Sequence, residues 1–270
     1  MRAPLADLGQ LFQMSVFEPF TVAPQAPFRA TRPSWRPAMV CIALTAIIMM
    51  VSLLVTFLAL IALINIPTLR IGNESWAVAK DASFVVVFHI ATIAMTIALV
   101  DQLRSHISGR VLPMNWPRHG AFVMVVVGIG TFALSSGIGT AINWLSLDAL
   151  DARGAHVADP LLQWPVLWMF ILTCVIGAPL SEELLYRGFL YAGLRESPLG
   201  FWGTAIVTSL VWAAWHGLAL HIIVPVFCVG MVFAWVREKT GSIWPTIGAH
   251  AIYNGVLALI VWVYATQTLA

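Results

Sequence analysis

The sequence predicts an all-α protein, a polytopic transmembrane helical bundle of about seven to eight spans with a cytoplasmic N-terminus. Three observations predict this fold: the composition, the length of the apolar runs and the distribution of arginine and lysine. The 270 residues are 60% hydrophobic and 10% charged, whereas about a quarter of the residues in a soluble domain are charged. We therefore expect the lipid bilayer to surround most of the chain.

Apolar runs long enough to cross a bilayer follow one another along the chain. A transmembrane helix needs about 20 apolar residues. Single runs of this kind cover 39–66, 83–100, 120–145, 162–180 and 244–265. The stretch 201–236 is too long for one helix, and Pro225 is expected to mark a break near a turn. A helical hairpin there, with a short second arm at 222–236, gives seven spans and leaves room for an eighth element.

The basic residues fall mainly in the segments that this topology places in the cytoplasm. Of the 14 Arg and Lys residues, the inner segments hold eleven: Arg2, Arg29, Arg32, Arg36, Arg104, Arg110, Arg118, Arg187, Arg195, Arg237 and Lys239. The outer segments hold the other three: Arg70, Lys80 and Arg153. Cytoplasmic loops of membrane proteins carry an excess of Lys and Arg. This distribution supports seven spans with the N-terminus inside and the C-terminus outside.

The chain divides into three segments. A Pro-rich cytoplasmic tail is expected at 1–38, N-terminal transmembrane helices at 39–161, and C-terminal transmembrane helices that carry the polar motifs at 162–270. Prolines interrupt any helix in the tail at Pro4, Pro19, Pro24, Pro27, Pro33 and Pro37. Within 120–145, the crowded glycines and serines favour close packing of helices over a phosphate-binding loop.

Charge and cysteine content argue against two further kinds of site. The formal charge of +2 is small and dispersed, so no nucleic-acid partner is expected. Cys41, Cys174 and Cys228 lie in apolar runs without C-x-x-C spacing. They indicate neither a disulfide framework nor a thiolate zinc site, and we expect them to be packing residues.

Two adjacent carboxylates and an arginine end the run 162–180. An ionised side chain at membrane depth is costly, so it normally persists only where it is paired or used. Glu183 and Arg187 are one helical turn apart, in the acid-before-base order that favours a side-chain pair. Glu182 points about 100° away and is left free. The alternative interpretation is that both glutamates simply cap a helix at the inner interface.

Two later spans also carry polar residues four positions apart. Trp212 and His216 share a helix face, so the indole could shield or orient the imidazole. His250 and Asn254 share another face, at a depth that fits Glu182. Counted along its helix, His216 lies deeper, and tilt would have to remove the difference. Taken alone, each histidine is more often a hydrogen-bonded packing residue than a ligand. His89, with no acidic neighbour at helical spacing, is interpreted as making an interhelical hydrogen bond, with lining of the cavity as the lesser alternative.

Together these side chains indicate a polar site inside the bilayer, for which two chemistries remain open. A carboxylate and a histidine beside one water perform general-base hydrolysis, with an imidazole and an amide stabilising the oxyanion. Alternatively, Glu182, His216 and His250 could hold a divalent metal, zinc being the best match for these ligands. The spacing does not separate these mechanisms, because the three residues come from different spans. A covalent nucleophile is not expected.

Three motifs carry a resemblance to a known family. Residues 182–187 match E-E-x-x-x-R, His216 ends a variant of F-x-x-x-H, and His250 to Asn254 match H-x-x-x-N. In this order they resemble the CAAX-prenyl-protease and bacteriocin-processing family (CPBP, or Abi) of intramembrane metalloproteases. The resemblance covers 162–265. Trp212 stands where the pattern has phenylalanine, a departure expected to change pocket shape and substrate choice more than chemistry.

The resemblance implies an intramembrane endopeptidase acting on membrane-anchored or prenylated polypeptides. Glu182 would activate water with His216, His250 and Asn254 would stabilise the oxyanion, and Glu183 with Arg187 would be a supporting pair. The family is usually classed as metalloproteases, although a metal-free glutamate mechanism is also considered for it. The arginine bias and the family's distribution make a bacterial plasma membrane the expected location.

Two other functions remain open from the sequence. The titratable residues could form the relay of a proton- or ion-coupled transporter, although the chain lacks the inverted repeat and paired broken helices that many transporters have. The chain could also be a non-catalytic membrane scaffold or immunity protein that retains the motifs.

Overall fold

The computed structural model describes residues 34–64, 73–103, 112–146, 168–169 and 171–268. These ranges form seven helices and contain no strand, so the all-α prediction is confirmed. The helices are α1 (Trp35–Ile64), α2 (Asn73–Leu103), α3 (Gly120–Ser146), α4 (173–195), α5 (Gly200–His216), α6 (Leu220–Thr240) and α7 (Trp244–Thr268). The tail prediction falls mostly on residues outside these ranges, as do the predicted positions of Arg104, Arg110 and Arg153.

Five of the described helices are long and apolar enough to cross a membrane: α1, α2, α3, α6 and α7. Helix α5 is too short for this criterion, with 17 residues. Helix α4 is divided into short segments and carries Glu182, Glu183 and Arg187. The chain is therefore a helical membrane bundle. The count of seven spans, and the side of the membrane on which each end lies, stay predictions.

The predicted hairpin in 201–236 is present, but its turn lies elsewhere than expected. Helix α5 ends at His216 and α6 begins at Leu220. Between them Gly217 has a φ of 143°, which glycine adopts without steric cost. Pro225 lies inside α6 and is buried, so the break predicted there is wrong. Transmembrane helices tolerate an internal proline because neighbouring groups satisfy the freed carbonyl.

Helix α4 lies at the centre of the bundle. It contacts α1, α2, α5, α6 and α7, while α3 packs along α6 and α7. Every residue of α4 from 183 to 194 is buried. The close approach of α4 to α1 is made at Gly193, where a Cβ atom would overlap the side chain of Cys41. Cys41 is fully buried, in agreement with its predicted packing role.

Close helix contact in α3 is found at one glycine. A Cβ atom at Gly128 would lie 2.8 Å from the carbonyl oxygen of Ala249 and from Ile252 on α7. By contrast, Cβ atoms at Gly130, Gly137 and Gly139 would meet nothing within 4 Å. The prediction of close packing therefore holds at Gly128 alone among these four positions.

The outer faces of the bundle are apolar. Large exposed side chains include Met50 on α1, Ile90 on α2, Phe122 on α3, Leu210 on α5 and Ile260 on α7. Large exposed apolar areas on a soluble protein mark an interaction surface. On a membrane bundle they are the surface that lipid covers.

Candidate active site

Helix α4 departs from α-helical geometry just before the glutamates. Thr173–Gly177 is a π-helical turn, in which the N–H of Ala178 donates to the carbonyl of Thr173, five residues back. With the same five-residue spacing, the carbonyl of Cys174 would accept a hydrogen bond from the backbone N–H of residue 179. Pro179 has no N–H, so this carbonyl lacks a helical partner. A second π-helical segment, Glu183–Leu190, follows, and such segments occur frequently at functional sites.

Asn254 satisfies the carbonyl that Pro179 leaves free. Its Nδ2 lies 2.7 Å from the carbonyl oxygen of Cys174 and donates to it. One N–H of the amide is therefore committed to the backbone of α4, and the second remains for another acceptor. This bond joins α7, which carries His250, to the helix that carries Glu182.

The two adjacent glutamates have different surroundings. The Oε1 atom of Glu183 accepts a hydrogen bond of 2.9 Å from Nη1 of Arg187, and both side chains are 0% exposed. Glu182 lies on another side of α4 and keeps 13% of its side chain exposed. The side-chain pair predicted from the i, i+4 spacing therefore forms, and Glu182 is not part of it.

Arg187 is held by aromatic faces as well as by Glu183. Its guanidinium carbon lies 4.1 Å from the centroid of Trp212 and 5.4 Å from that of Phe233. Its backbone carbonyl accepts from Nε of Arg237 on α6. Such faces attract a desolvated cation, and removing one partner of a buried ion pair costs several kcal/mol.

Glu182 meets two residues of α5. The indole Nε1 of Trp212 donates to Oε2 of Glu182 across 2.5 Å. The Nε2 atom of His216 lies 3.7 Å from the same oxygen. The sequence predicted that His216 lies deeper in the membrane than Glu182, but the structure brings the two side chains together.

The hydrogen bonds of His216 determine which of its nitrogens carries the proton. Nδ1 lies 2.9 Å from the backbone carbonyl oxygen of Trp212. A carbonyl can only accept, so Nδ1 donates, and in the neutral ring Nε2 is an acceptor. The carboxylate of Glu182 is also an acceptor. A water placed between them would donate one proton to each, which is the arrangement for general-base activation.

His250 is oriented by the supporting pair. Its Nδ1 lies 3.1 Å from Oε1 of Glu183, the oxygen that also accepts from Arg187. The carboxylate accepts from Nδ1–H, so Nε2 is an acceptor in the neutral ring and a donor only in the imidazolium. Donation to an oxyanion by His250 therefore requires the protonated form.

His89 on α2 lies at the edge of the site, which was the lesser of the two alternatives for this residue. Its Nδ1 is 2.6 Å from Oγ of Ser181, the residue before Glu182. The side chain is buried and interacts electrostatically with Glu182, His216 and His250. The interhelical hydrogen bond predicted for His89 is present. Its hydrogen-bond partner was not predictable, because 92 residues separate it from Ser181.

The three side chains suggested as metal ligands do not form one group of three. Among the described residues, no group of three or more His, Cys, Asp and Glu side chains is placed so that it could hold a metal ion. Glu182 and His216 adjoin each other, whereas His250 is directed to Glu183. As placed, Glu182, His216 and His250 do not fit a shared metal.

The fold and the site define a helical membrane protein with carboxylate and imidazole groups brought together between its central helices. Residues 163–256 match the model of a family described as Type II CAAX prenyl endopeptidase Rce1-like. This segment contains all three motifs, and the family resemblance inferred from them is thereby confirmed. The similarity is to a CAAX-type membrane protease at the level of the family.

Two curated bacterial proteins are similar to parts of the chain. "Putative membrane peptidase YdiL" of Bacillus subtilis is 25% identical over 92 residues, which are 34% of this chain and 36% of that protein. "UPF0177 protein YxdF" of Lactococcus lactis is 23% identical over 143 residues, or 52% of this chain and 76% of that protein. No solved structure matches the chain.

Proposed function

We propose that this protein is an intramembrane endopeptidase that hydrolyses peptide bonds with water activated by Glu182 and His216. The observation that carries the proposal is the 3.7 Å separation between Oε2 of Glu182 and Nε2 of His216, two acceptors that a single water can bridge. The match of 163–256 to a family of CAAX prenyl endopeptidases supports a peptidase. The substrates that follow are membrane-anchored or prenylated polypeptides, and the two bacterial relatives favour a bacterial plasma membrane.

The proposed reaction begins with the bridging water. Glu182 removes a proton while the water oxygen attacks the carbonyl carbon of the scissile peptide bond. His216 accepts a hydrogen bond from the same water and directs its lone pair. In the tetrahedral intermediate the carbonyl oxygen carries the negative charge. Glu182 then transfers its proton to the leaving nitrogen, the C–N bond breaks, and the carboxylate is regenerated.

The oxyanion is stabilised from α7 in this scheme. His250 donates from Nε2 in its imidazolium form. Glu183 accepts the hydrogen bond from Nδ1, and its negative charge balances the positive charge of the imidazolium. The second N–H of Asn254 is available to the same oxygen. Donors placed in advance at an oxyanion contribute about 3 kcal/mol each to catalysis. Glu183 and Arg187 do not react; they hold His250.

The proposed scheme uses no metal, and its support is that Glu182, His216 and His250 do not form a metal-binding group among the described residues. The proposal therefore predicts that activity survives exhaustive chelation. Loss of activity in chelator, restored by added zinc, would replace the scheme with a metalloprotease mechanism.

Purified protein in detergent tests the function with two peptides of one sequence, prenylated and unmodified, and product detection by mass spectrometry. Wild type should cleave, with preference for the prenylated peptide. Glu182→Gln and His216→Ala should lose cleavage, whereas His221→Ala, an exposed histidine of α6, should retain it. Equal cleavage by all variants would refute the site. Proton flux into liposomes that requires Glu182, without cleavage, would support a transporter instead.

A further inference from the structure

The indole of Trp212 contacts the main functional groups of the proposed site. Its N–H donates to Glu182. Its ring centroid lies 5.0 Å from that of His216 and 5.5 Å from that of His250, with interplanar angles of 75° and 79°. Its face receives the guanidinium of Arg187 at 4.1 Å. The residue is almost fully buried, so these contacts are made away from solvent.

These contacts leave the indole little freedom. The N–H is a donor only, and Oε2 of Glu182, an acceptor, is its partner. A rotation that released Glu182 would also remove the ring from Arg187 and from the edges of both imidazoles. The oxygen that Trp212 holds is the one that faces Nε2 of His216.

We propose that Trp212 is a positioning residue for Glu182, and that its indole N–H holds the carboxylate beside His216. The inference rests on the proposed function, because it assigns a partner to the general base of that reaction. It gives the tryptophan at this position a chemical role in addition to the expected effect on pocket shape and substrate choice. A ring without a donor would fill the same space and leave Oε2 without this bond.

Other groups also act on Glu182, so the test must remove the donor and leave the charges unchanged. The titratable groups that interact with it are His89 on α2, Cys174, Tyr186 and Arg187 on α4, His216 on α5, and His250 on α7. Trp212→Phe changes none of them. It keeps an aromatic ring against Arg187 and the imidazoles and deletes the N–H.

A matched control is available on the same helix. Trp215 lies three residues later, is half-exposed and stacks on Phe88 with ring centroids 5.8 Å apart. Trp215→Phe removes an indole N–H outside the site. A shape-preserving replacement is benzothienylalanine at position 212, in which sulfur replaces the N–H. It keeps the test valid if Trp212→Phe fails to fold.

The kinetic expectation concerns kcat and the acid limb of the pH profile. A hydrogen bond to a charged group shifts the pKa of that group by about one unit. Loss of the donor favours the protonated carboxyl, so the acid limb should move to higher pH by about one unit. We expect kcat to fall about tenfold, with KM nearly unchanged, since the substrate does not bind through this bond.

A second measurement does not depend on cleavage. Dicyclohexylcarbodiimide, an apolar reagent, modifies protonated carboxyl groups, and peptide mass spectrometry reports labelling of Glu182 as a function of pH. The midpoint should rise by about one unit in Trp212→Phe and in the benzothienylalanine protein. It should stay at the wild-type value in Trp215→Phe. Glu182→Gln supplies the background.

The two measurements separate the inference from the proposed function. Labelling midpoints that are equal in wild type and both position-212 proteins would overturn the role of Trp212, whether or not peptides are cleaved. A raised midpoint in a protein that cleaves none of the peptides would retain Trp212 as the partner of Glu182 and count against the peptidase. A raised midpoint in Trp215→Phe as well would show a general loosening of α5 and overturn the inference.

Discussion

Replacement of Arg187 by methionine should destabilise the protein severely. Glu183 and Arg187 are both 0% exposed, and their atoms lie 2.9 Å apart. Methionine fills much of the same volume but leaves the carboxylate of Glu183 buried without its cation. Breaking a buried pair by removing one partner costs about 3–5 kcal/mol. Loss of the contact between Arg187 and the face of Trp212 places this variant toward the upper end of that range.

The size of this loss can be measured by unfolding in mixed micelles with increasing sodium dodecyl sulfate, followed by circular dichroism. The informative comparison is with the double variant that combines Glu183→Gln and Arg187→Met. It replaces the ions by neutral groups, and a glutamine oxygen still accepts from Nδ1 of His250. A neutral pair of similar volume is often as stable as the buried ions, so more than half of the lost stability should return.

A control for the removal of any arginine is Arg195→Met. Arg195 pairs with Glu238 at 2.7 Å, and both side chains are partly exposed, so we expect a loss of only about 1 kcal/mol. The reasoning about the buried pair is refuted if Arg187→Met lies within about 1 kcal/mol of wild type, or if the double variant is no more stable than the single one.

Two further predictions concern the helix that carries the glutamates. Asn254→Ala should lower the free energy of unfolding by about 1–3 kcal/mol in the same assay, because the carbonyl of Cys174 loses its hydrogen-bond donor. Adding Pro179→Ala supplies a backbone N–H at the required position and should recover part of the loss. If the double variant recovers no stability, this explanation is contradicted. His89→Ala and Ser181→Ala should be non-additive by at least about 0.5 kcal/mol in a double-mutant cycle on kcat/KM, whereas additive effects would show that their hydrogen bond does not matter for activity.

The apolar runs were sufficient to predict the helices because bilayer thickness imposes their length. The spacing of Glu183 and Arg187 was sufficient to predict their pairing, since both lie on one helix. Position along a helix is a local property. The all-α class and the pairing of Glu183 with Arg187 depended only on such properties, and both agree with the structure in the described residues.

The turn between α5 and α6 was predicted near Pro225 but forms at Gly217. Pro225 removes one hydrogen bond from a helix, whereas Gly217 adopts a φ of 143°. Neighbouring groups in a membrane bundle can compensate the first effect. The second reverses the chain direction, so the turn forms at the glycine.

The contacts that complete the site join separate helices, and the sequence contained no signal for them. The carbonyl of Cys174 is free because of Pro179, but its partner Asn254 is 80 residues away. The indole N–H of Trp212 reaches Glu182 across 30 residues. The motifs identified which residues form the site. Which side chain donates to which could be determined only from the packing of α4 against α5 and α7.

The rate of peptide cleavage by Glu182→Gln, measured in chelator alongside wild type, tests the central claim most directly. General-base catalysis contributes about 10²–10⁴-fold. Wild type should remain active without free metal, and Glu182→Gln, with unchanged unfolding, should be slower by at least about a hundredfold. Cleavage by Glu182→Gln at the wild-type rate would contradict the assignment of Glu182 as the group that activates water.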